Sequence, residues 1–166
     1  MASRPLRIGL VGATPDRGWA PRAHVPAYRA LEEFELAGIC TGRPETAAAA
    51  AQAFGVKLIS SDYQEFVRSP EIDVVSVSTR ILLHHPISKA ALEAGKHVFC
   101  EWPLTVTADQ AQELADIARS RGVRAITGLQ SRFAPAFLHM KELLDQGYLG
   151  RMLSFNMTML LSGAMN

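Results

Sequence analysis

The chain has 166 residues, of which 48% are hydrophobic and 20% are charged, and its formal net charge is +1. These values suit one globular domain and give no basic footprint of the kind that binds DNA or RNA directly. Nucleic acid is therefore not expected as a partner. No apolar run reaches the roughly 18 residues that a membrane span needs, so a membrane is not expected as a partner either. Cys40 and Cys100 each end an apolar run. Because their spacing fits no metal motif, we predict buried free thiols in a cytoplasmic protein.

Short apolar runs alternate with segments of helical spacing along the chain. Predicted strands cover residues 7–11, 34–40, 57–60, 72–78, 97–101, 124–128 and 152–161. Predicted helices cover residues 23–33, 44–54, 62–67, 85–94, 107–120 and 135–146. Gly55 is expected to end the second helix, and Thr107 with Gln110 forms a capping-box pattern. Strands and helices that alternate with short connections predict an α/β fold, a Rossmann-type doubly wound parallel sheet.

The last predicted strand, at residues 152–161, has no obvious partner within the chain. We therefore predict a Rossmann domain over residues 1–150, with residues 151–166 as the start of a truncated C-terminal α/β domain. On this interpretation a second domain, for substrate binding and oligomerisation, is essentially absent from the sequence. A full-length form is expected to be a homo-oligomer.

The first strand is followed by a glycine-containing turn with the sequence GATPDRGWA from Gly12 onward. A dinucleotide fingerprint has the spacing G-x-G-x-x-G, which lets the backbone approach a pyrophosphate at a helix N-terminus. Gly12 matches the first position, but Thr14 stands at the second, and Gly18 comes one residue late. We predict cofactor contacts from Gly12, Ala13, Thr14, Gly18 and Trp19. The alternative is a tight turn that holds no ligand.

The end of the second strand bears on which dinucleotide is bound. An acidic residue there holds the ribose 2′-hydroxyl of NAD, whereas an arginine accepts the 2′-phosphate of NADP. This chain has CTGR over residues 40–43, with no acid. Thr41 can hydrogen-bond a phosphate and Arg43 can pair with it, so NADP is expected in preference to NAD. The alternative is that Arg43 is a solvated loop charge.

Several later segments carry a more specific pattern. They are ALEAGKHVFCEWPL over residues 91–104, Thr79 with His84 five residues later, GLQSRFAP over residues 128–135 and LLDQGYLG over residues 143–150. Together they resemble the Gfo/Idh/MocA oxidoreductase family across nearly the whole chain. The resemblance implies the NAD(P)-binding domain of an oxidoreductase that acts on a sugar or polyol-like substrate by hydride transfer.

Some residues are similar to one branch of that family. They include GWA over residues 18–20, His24, Pro26 and the pair Glu101 and Trp102. This branch contains oxidoreductases and also a transcriptional regulator that binds a dinucleotide and a protein partner without known catalysis. The resemblance therefore leaves two functions open: an enzyme with a small sugar-like substrate, and a dinucleotide-sensing regulator with a regulatory protein partner.

Trp102 departs from the family pattern, which has a lysine at this position that is thought to contact the substrate oxygen. An ammonium group can stabilise a developing alkoxide and shuttle a proton, whereas an indole does neither at neutral pH. No catalytic residue is therefore assigned, although His84 is a candidate. Trp102 can instead stack on a ring, or it can be a core or interface aromatic. The family also suggests a cis peptide before Pro103.

The resemblance places further cofactor contacts after the later strands. The expected set is Ser78, Thr79, His84, Glu101, Trp102, Pro103, Gln130 and Arg132. Three of these have alternatives: His84 as an exposed residue at a helix N-terminus, Glu101 as a cap of the following turn, and Arg132 as a partner of a carboxylate in another domain. His24 is expected to be a hydrogen-bonded structural histidine, and the alternative is a contact with the cofactor or substrate. No His, Cys, Asp or Glu cluster has metal spacing, so no metal is expected.

Overall fold

A computed structural model of the chain describes residues 4–158. Within these residues six parallel strands form a sheet in the order β3–β2–β1–β4–β5–β6. The strands are β1 Leu6–Val11, β2 Phe34–Cys40, β3 Leu58–Ser60, β4 Val74–Val77, β5 His97–Glu101 and β6 Ala125–Gly128. The α-helices are α1 Val25–Ala30, α2 Pro44–Phe54, α3 Tyr63–Phe66, α4 His84–Glu93, α5 Ala108–Arg121 and α6 Pro135–Asp145. This strand order defines a doubly wound dinucleotide-binding sheet, which confirms the predicted fold.

The first strand shows that the sheet is buried on both faces. Leu10 belongs to a cluster that contains Val25 and Ile39. Val11, one residue further along, belongs to the opposite cluster with Val77 and many residues of α4 and α5. Successive side chains of a strand point to opposite faces, so an uninterrupted apolar run suits a strand covered by helices on both sides.

Both cysteines are buried and free, as the sequence predicts. Each ends a hydrophobic stretch inside the cluster formed with α4 and α5. Burial raises the pKa of the Cys40 thiol to about 12 and that of the Cys100 thiol to about 11. Because the thiolate is the reactive form, both side chains act as inert core residues at neutral pH.

Two helix ends follow the predicted chemistry. Gly55 after α2 has φ of 62°, and its N–H donates to the carbonyl of Ala51. The Thr107 hydroxyl accepts from the Gln110 N–H before α5. These local signals end and start the helices because they satisfy backbone groups that the helix leaves without partners.

The first helical segment differs from the single helix predicted at residues 23–33. A π-helical turn, Ala20–His24, runs into α1, and the chain becomes extended at Leu31. Pro26 lacks an N–H, so a regular α-helical hydrogen bond cannot form at its position. The wider turn accommodates this gap, and the early end leaves room for β2 to begin at Phe34.

The strand predicted at residues 152–161 is wrong over its described part. Residues 152–158 are exposed and carry no strand, while residues 159–161 lie outside the described residues. A strand needs a ladder partner, and within residues 4–158 no pairing involves this segment. The chain divides into one compact unit that ends at Gly128 and another that begins at Leu129. The domain boundary at residue 150 stays a prediction.

Candidate functional site

The carboxyl ends of β1, β2, β4 and β5 are in register at one edge of the sheet. Val11 is in register with Cys40 on one side and with Val77 on the other. Val77 is in register with Cys100. The residues that follow these positions therefore meet at one edge, and the strand order reverses direction between β1 and β4. Ligands of open α/β sheets bind in the crevice at this switch point.

Gly12 lies at the switch point with φ of 97°. A β-carbon at this position would lie 2.4 Å from the Ser78 carbonyl oxygen and 2.6 Å from Thr79 Cγ2. The turn after β1 therefore packs directly on the end of β4, and only glycine fits there. Gly18, also at positive φ, has nothing within 4 Å of its β-carbon position. The Thr14 hydroxyl donates to the Arg17 carbonyl at 3.1 Å and braces the turn between them.

Thr41 is buried at the end of β2, and its hydroxyl has partners inside the protein. The Thr41 oxygen lies 3.0 Å from the Arg43 carbonyl oxygen and 2.6 Å from the Thr46 hydroxyl. Thr46 also donates to the Arg43 carbonyl. These contacts shape the start of α2. The Arg43 side chain stays exposed beside that helix N-terminus.

A cleft of about 80 Å³ opens between the ends of β1, β2 and β4. Gly12, Thr41 and Thr79 line it, and so do Leu83 and Ile87 from the start of α4. Three predicted site residues therefore lie around this mostly apolar cleft. Tyr63 and Ser61, near the start of α3, complete its wall.

Glu101 at the end of β5 faces His24 from the turn before α1. Nε2 of His24 lies 2.8 Å from Oε1 of Glu101, and the two side chains are 8% and 14% exposed. The contact places a carboxylate oxygen beside a buried ring nitrogen. His24 also meets Phe99 edge-on, and burial lowers the pKa of the imidazole while Glu101 opposes that shift.

Tyr28 extends this cluster towards β4. Its ring stacks on His24, and its hydroxyl lies 2.9 Å from the hydroxyl of Ser76, a fully buried residue in the middle of the strand. Burial raises the pKa of the Tyr28 hydroxyl. The structural role predicted for His24 is thus supported by its position between an aromatic ring and a carboxylate.

His84, the first residue of α4, is 2% exposed, so the alternative of a solvent-exposed helix N-terminus is wrong. Its Nδ1 lies 2.7 Å from the Pro103 carbonyl oxygen, and its Nε2 lies 3.0 Å from the Thr79 carbonyl oxygen. Both ring nitrogens are therefore engaged by backbone acceptors.

Two tryptophans lie exposed in the loops at this edge. Trp102, after β5, is 65% exposed, and Trp19, at the end of the glycine turn, is 45% exposed. The peptide between Trp102 and Pro103 is cis, as the family resemblance suggests. A core position for Trp102 is therefore wrong, because its ring faces solvent.

Gln130 and Arg132 belong to the second unit, in a short 3-10 turn, Gln130–Phe133, where both are exposed. Their assignment to the cofactor stays a prediction. Across residues 4–158, His, Cys, Asp and Glu form no group of three suited to a metal ion. In the same range, no helix combines the length and apolar character needed to cross a bilayer.

Sequence reasoning missed Thr46, Tyr63 and Tyr28 at this edge. Thr46 occupies the first turn of α2, where a hydroxyl reaches back to the preceding loop, so its position was the available signal. A serine within the apolar run of β4 likewise indicated a buried polar partner, which is Tyr28. Tyr63 gave no local signal, because only the packing of α3 brings it to the cleft.

The strand order, the glycine turn at the switch point and the adjoining cleft define an α/β domain of the dinucleotide-binding class. A model of the Gfo/Idh/MocA oxidoreductase family, for its NAD-binding Rossmann fold, matches residues 6–129. The chain belongs to this family, which confirms the resemblance found in the sequence.

Individual relatives include enzymes and a regulator. The chain is 34% identical to a levoglucosan dehydrogenase of Pseudarthrobacter phenanthrenivorans, over 93% of this chain and 41% of the relative. It is 32% identical to the galactose/lactose metabolism regulatory protein of Saccharomyces cerevisiae, over 88% of this chain and 36% of the relative. A crystal structure of biliverdin reductase from Synechocystis, in complex with biliverdin and NADP+, matches with a TM-score of 0.74 and 29% identity, over 85% and 43% of the two chains. The chain thus spans about two fifths of the length of these proteins.

Proposed function

We propose that the chain binds NADP in preference to NAD and forms the cofactor half of an oxidoreductase that acts on a sugar or polyol-like substrate. The observation that carries this proposal is the close packing of the Gly12 turn on Ser78 and Thr79 at the switch point. Glycine at this position permits the tight turn between β1 and the next helical segment, which is the role of the first glycine in a dinucleotide fingerprint. A bound dinucleotide supplies the hydride chemistry, and the residues of this chain bind and orient it.

The edge fits a dinucleotide in two parts. The cleft beside Gly12 and Thr41, with Leu83 and Ile87 as apolar walls, suits a flat purine ring. Its volume of about 80 Å³ is smaller than a pocket for a whole ligand, roughly 300–1,000 Å³, so the remainder extends along the strand ends towards Glu101 and Trp102. Both regions lie at the carboxyl edge of the same sheet.

The preference for NADP rests on Arg43. Its side chain is exposed next to the start of α2, where no acidic residue ends β2 to hold a ribose hydroxyl pair. A guanidinium suits a phosphate because it donates several hydrogen bonds in one plane. Thr41 contributes by fixing the Arg43 backbone, since its hydroxyl contacts the Arg43 carbonyl.

Catalysis in this proposal requires a partner domain for the substrate, and the full-length protein is proposed to be a cytoplasmic homo-oligomer. The likeness to a levoglucosan dehydrogenase supports a sugar-like substrate. We expect the 166-residue chain alone to show no dehydrogenase turnover. Clear turnover of inositol, glucose or a similar polyol by this chain would contradict that.

Trp102 favours a second candidate, a dinucleotide-sensing regulator. An exposed indole stands where catalysis needs an ammonium group, and the similarity to a yeast regulatory protein supports the same function. An exposed aromatic side chain also suits contact with a protein partner.

The two candidate functions can be distinguished in a protein that joins this chain to the proposed second domain. The experiment compares wild type with Trp102→Lys in turnover of a panel of sugars and polyols. A regulator predicts no turnover by wild type and a gain in the variant. An enzyme predicts turnover by wild type that the variant does not improve, and this result removes the main support for the regulator.

A further inference from the structure

The strongest feature that the proposed function leaves unused is the buried ring of His84. Its two nitrogens face two different loops: Nδ1 lies 2.7 Å from the Pro103 carbonyl oxygen, and Nε2 lies 3.0 Å from the Thr79 carbonyl oxygen. At 2% exposure the ring is inaccessible to a ligand. Any role of His84 in the site is therefore exerted through the backbone that it holds.

Hydrogen-bond chemistry restricts the state of this ring. A carbonyl oxygen only accepts hydrogen bonds, and a neutral imidazole has one N–H and one acceptor nitrogen. A neutral ring would satisfy one carbonyl and direct a lone pair at the other. A ring that carries a proton on both nitrogens donates to both carbonyls, and it is the state that the two short distances fit.

The two carbonyls belong to functionally different places. Thr79 lines the cleft, and its methyl carbon packs against Gly12. Pro103 directly follows Trp102, the exposed aromatic at the end of β5. One buried side chain thus connects the part of the edge proposed for the purine with the part proposed for the remainder of the dinucleotide.

We propose that His84 is a positioning residue that bridges the ends of β4 and β5 as a doubly protonated ring and so fixes Trp102 relative to the Gly12 turn. It contacts no substrate or cofactor. The proposal deepens the proposed function, and it rests on that function only for its effect on dinucleotide affinity.

The first test is spectroscopic and needs no ligand. In the 15N-labelled 166-residue chain, both ring nitrogens of His84 are expected to show protonated-type chemical shifts and couplings to attached hydrogens. An unprotonated nitrogen in this ring would overturn the bridge. If both are protonated and NADPH does not bind, the bridge stands and the proposed function fails.

The second test compares two variants with a control. His84→Gln keeps two N–H hydrogens for the carbonyls, whereas His84→Phe keeps a flat ring without donors. We expect His84→Phe to weaken NADPH binding by about tenfold and to shift the Trp102 indole N–H signal. We expect His84→Gln to bind NADPH within about threefold of wild type and to leave the indole signal at its wild-type position. His85→Gln, which removes only a partner of Glu113 on α5, should leave both readouts unchanged. Equal effects of the Gln and Phe variants would contradict the bridge, and so would a Phe variant that binds like wild type. If the Phe variant does not fold, wild-type binding and an unshifted indole signal in His84→Gln support the bridge, and their loss contradicts it.

Discussion

The two halves of the strand edge are built differently. At the β1–β2 half, the backbone defines the site: Gly12 packs on the end of β4, and the hydroxyls of Thr41 and Thr46 hold the start of α2. At the β5 half, side chains define it through the His24 and Glu101 contact and the exposed ring of Trp102. The proposed function therefore assigns dinucleotide binding mainly to the backbone of the β1–β2 half, and it assigns the choice between catalysis and partner contact to the side chains of the β5 half.

The largest effect is expected from Gly12→Ala in the β1–β2 half. The new β-carbon would collide with the Ser78 carbonyl and Thr79 while the backbone stays at positive φ. Strain and overpacking together should cost roughly 2–6 kcal/mol of unfolding free energy and abolish dinucleotide binding. Gly18→Ala is the matched control, because it shares the positive φ but meets no neighbour. Equal losses in urea unfolding for the two variants would contradict the proposed close packing.

The next effect concerns the β5 half. His24→Leu should lower the unfolding free energy by roughly 1–3 kcal/mol, because the buried Glu101 carboxylate loses its nearest ring nitrogen. Its effect on NADPH affinity should be smaller than that of Gly12→Ala. Chemical denaturation measures the change in stability, and an NADPH titration measures the change in affinity. A His24→Leu variant that is as stable as wild type but does not bind NADPH would contradict this expectation.

His24 also gives the β5 half a pH dependence. Burial lowers its pKa in the folded state, so the unfolded chain takes up this proton first as the pH falls. The associated stability is complete above about pH 6.5 and is lost as the pH falls below that value. Unfolding measured at pH 7.5 and pH 5.5, values chosen on either side of that midpoint, should show a smaller loss in His24→Gln than in wild type. The exposed His139 supplies the control variant, and an unchanged loss in His24→Gln would exclude this origin.

Arg43→Ala should weaken NADPH binding by about tenfold, about 1.4 kcal/mol, and leave NADH binding unchanged, because only NADP carries the 2′-phosphate. Arg124→Ala is the control, since Arg124 precedes β6 and lies at the opposite edge of the sheet. Calorimetric titration of wild type and the two variants with both cofactors gives the six affinities. If Arg43→Ala weakens NADH and NADPH equally, the arginine does not select the phosphate.

The smallest effect is expected from Thr41→Val. Its hydroxyl already has partners within the turn, so the substitution should cost about 1 kcal/mol of stability. NADPH affinity should change less than in Arg43→Ala. A larger loss of NADPH than in Arg43→Ala, with NADH retained, would assign phosphate contact to the hydroxyl itself.

Much of the fold was predictable from the sequence because its signals are local. The apolar run of β4, Gly55 after α2 and Thr107 before α5 each determine structure within a few residues. The contact between His24 and Glu101 was not predictable, because it depends on the register of distant strands. The burial of His84 was missed for the same reason. The segment at residues 152–158 is apolar enough for a strand, but apolar character without a ladder partner does not make one.

The most direct test of the central claim is a calorimetric titration of the 166-residue chain with NADPH and, separately, with NADH. We expect saturable binding of both cofactors, with NADPH bound about tenfold more tightly, a difference of about 1.4 kcal/mol. A tenfold preference for NADH would contradict the role given to Arg43. If neither cofactor binds, the claim that this strand edge is a dinucleotide site is contradicted.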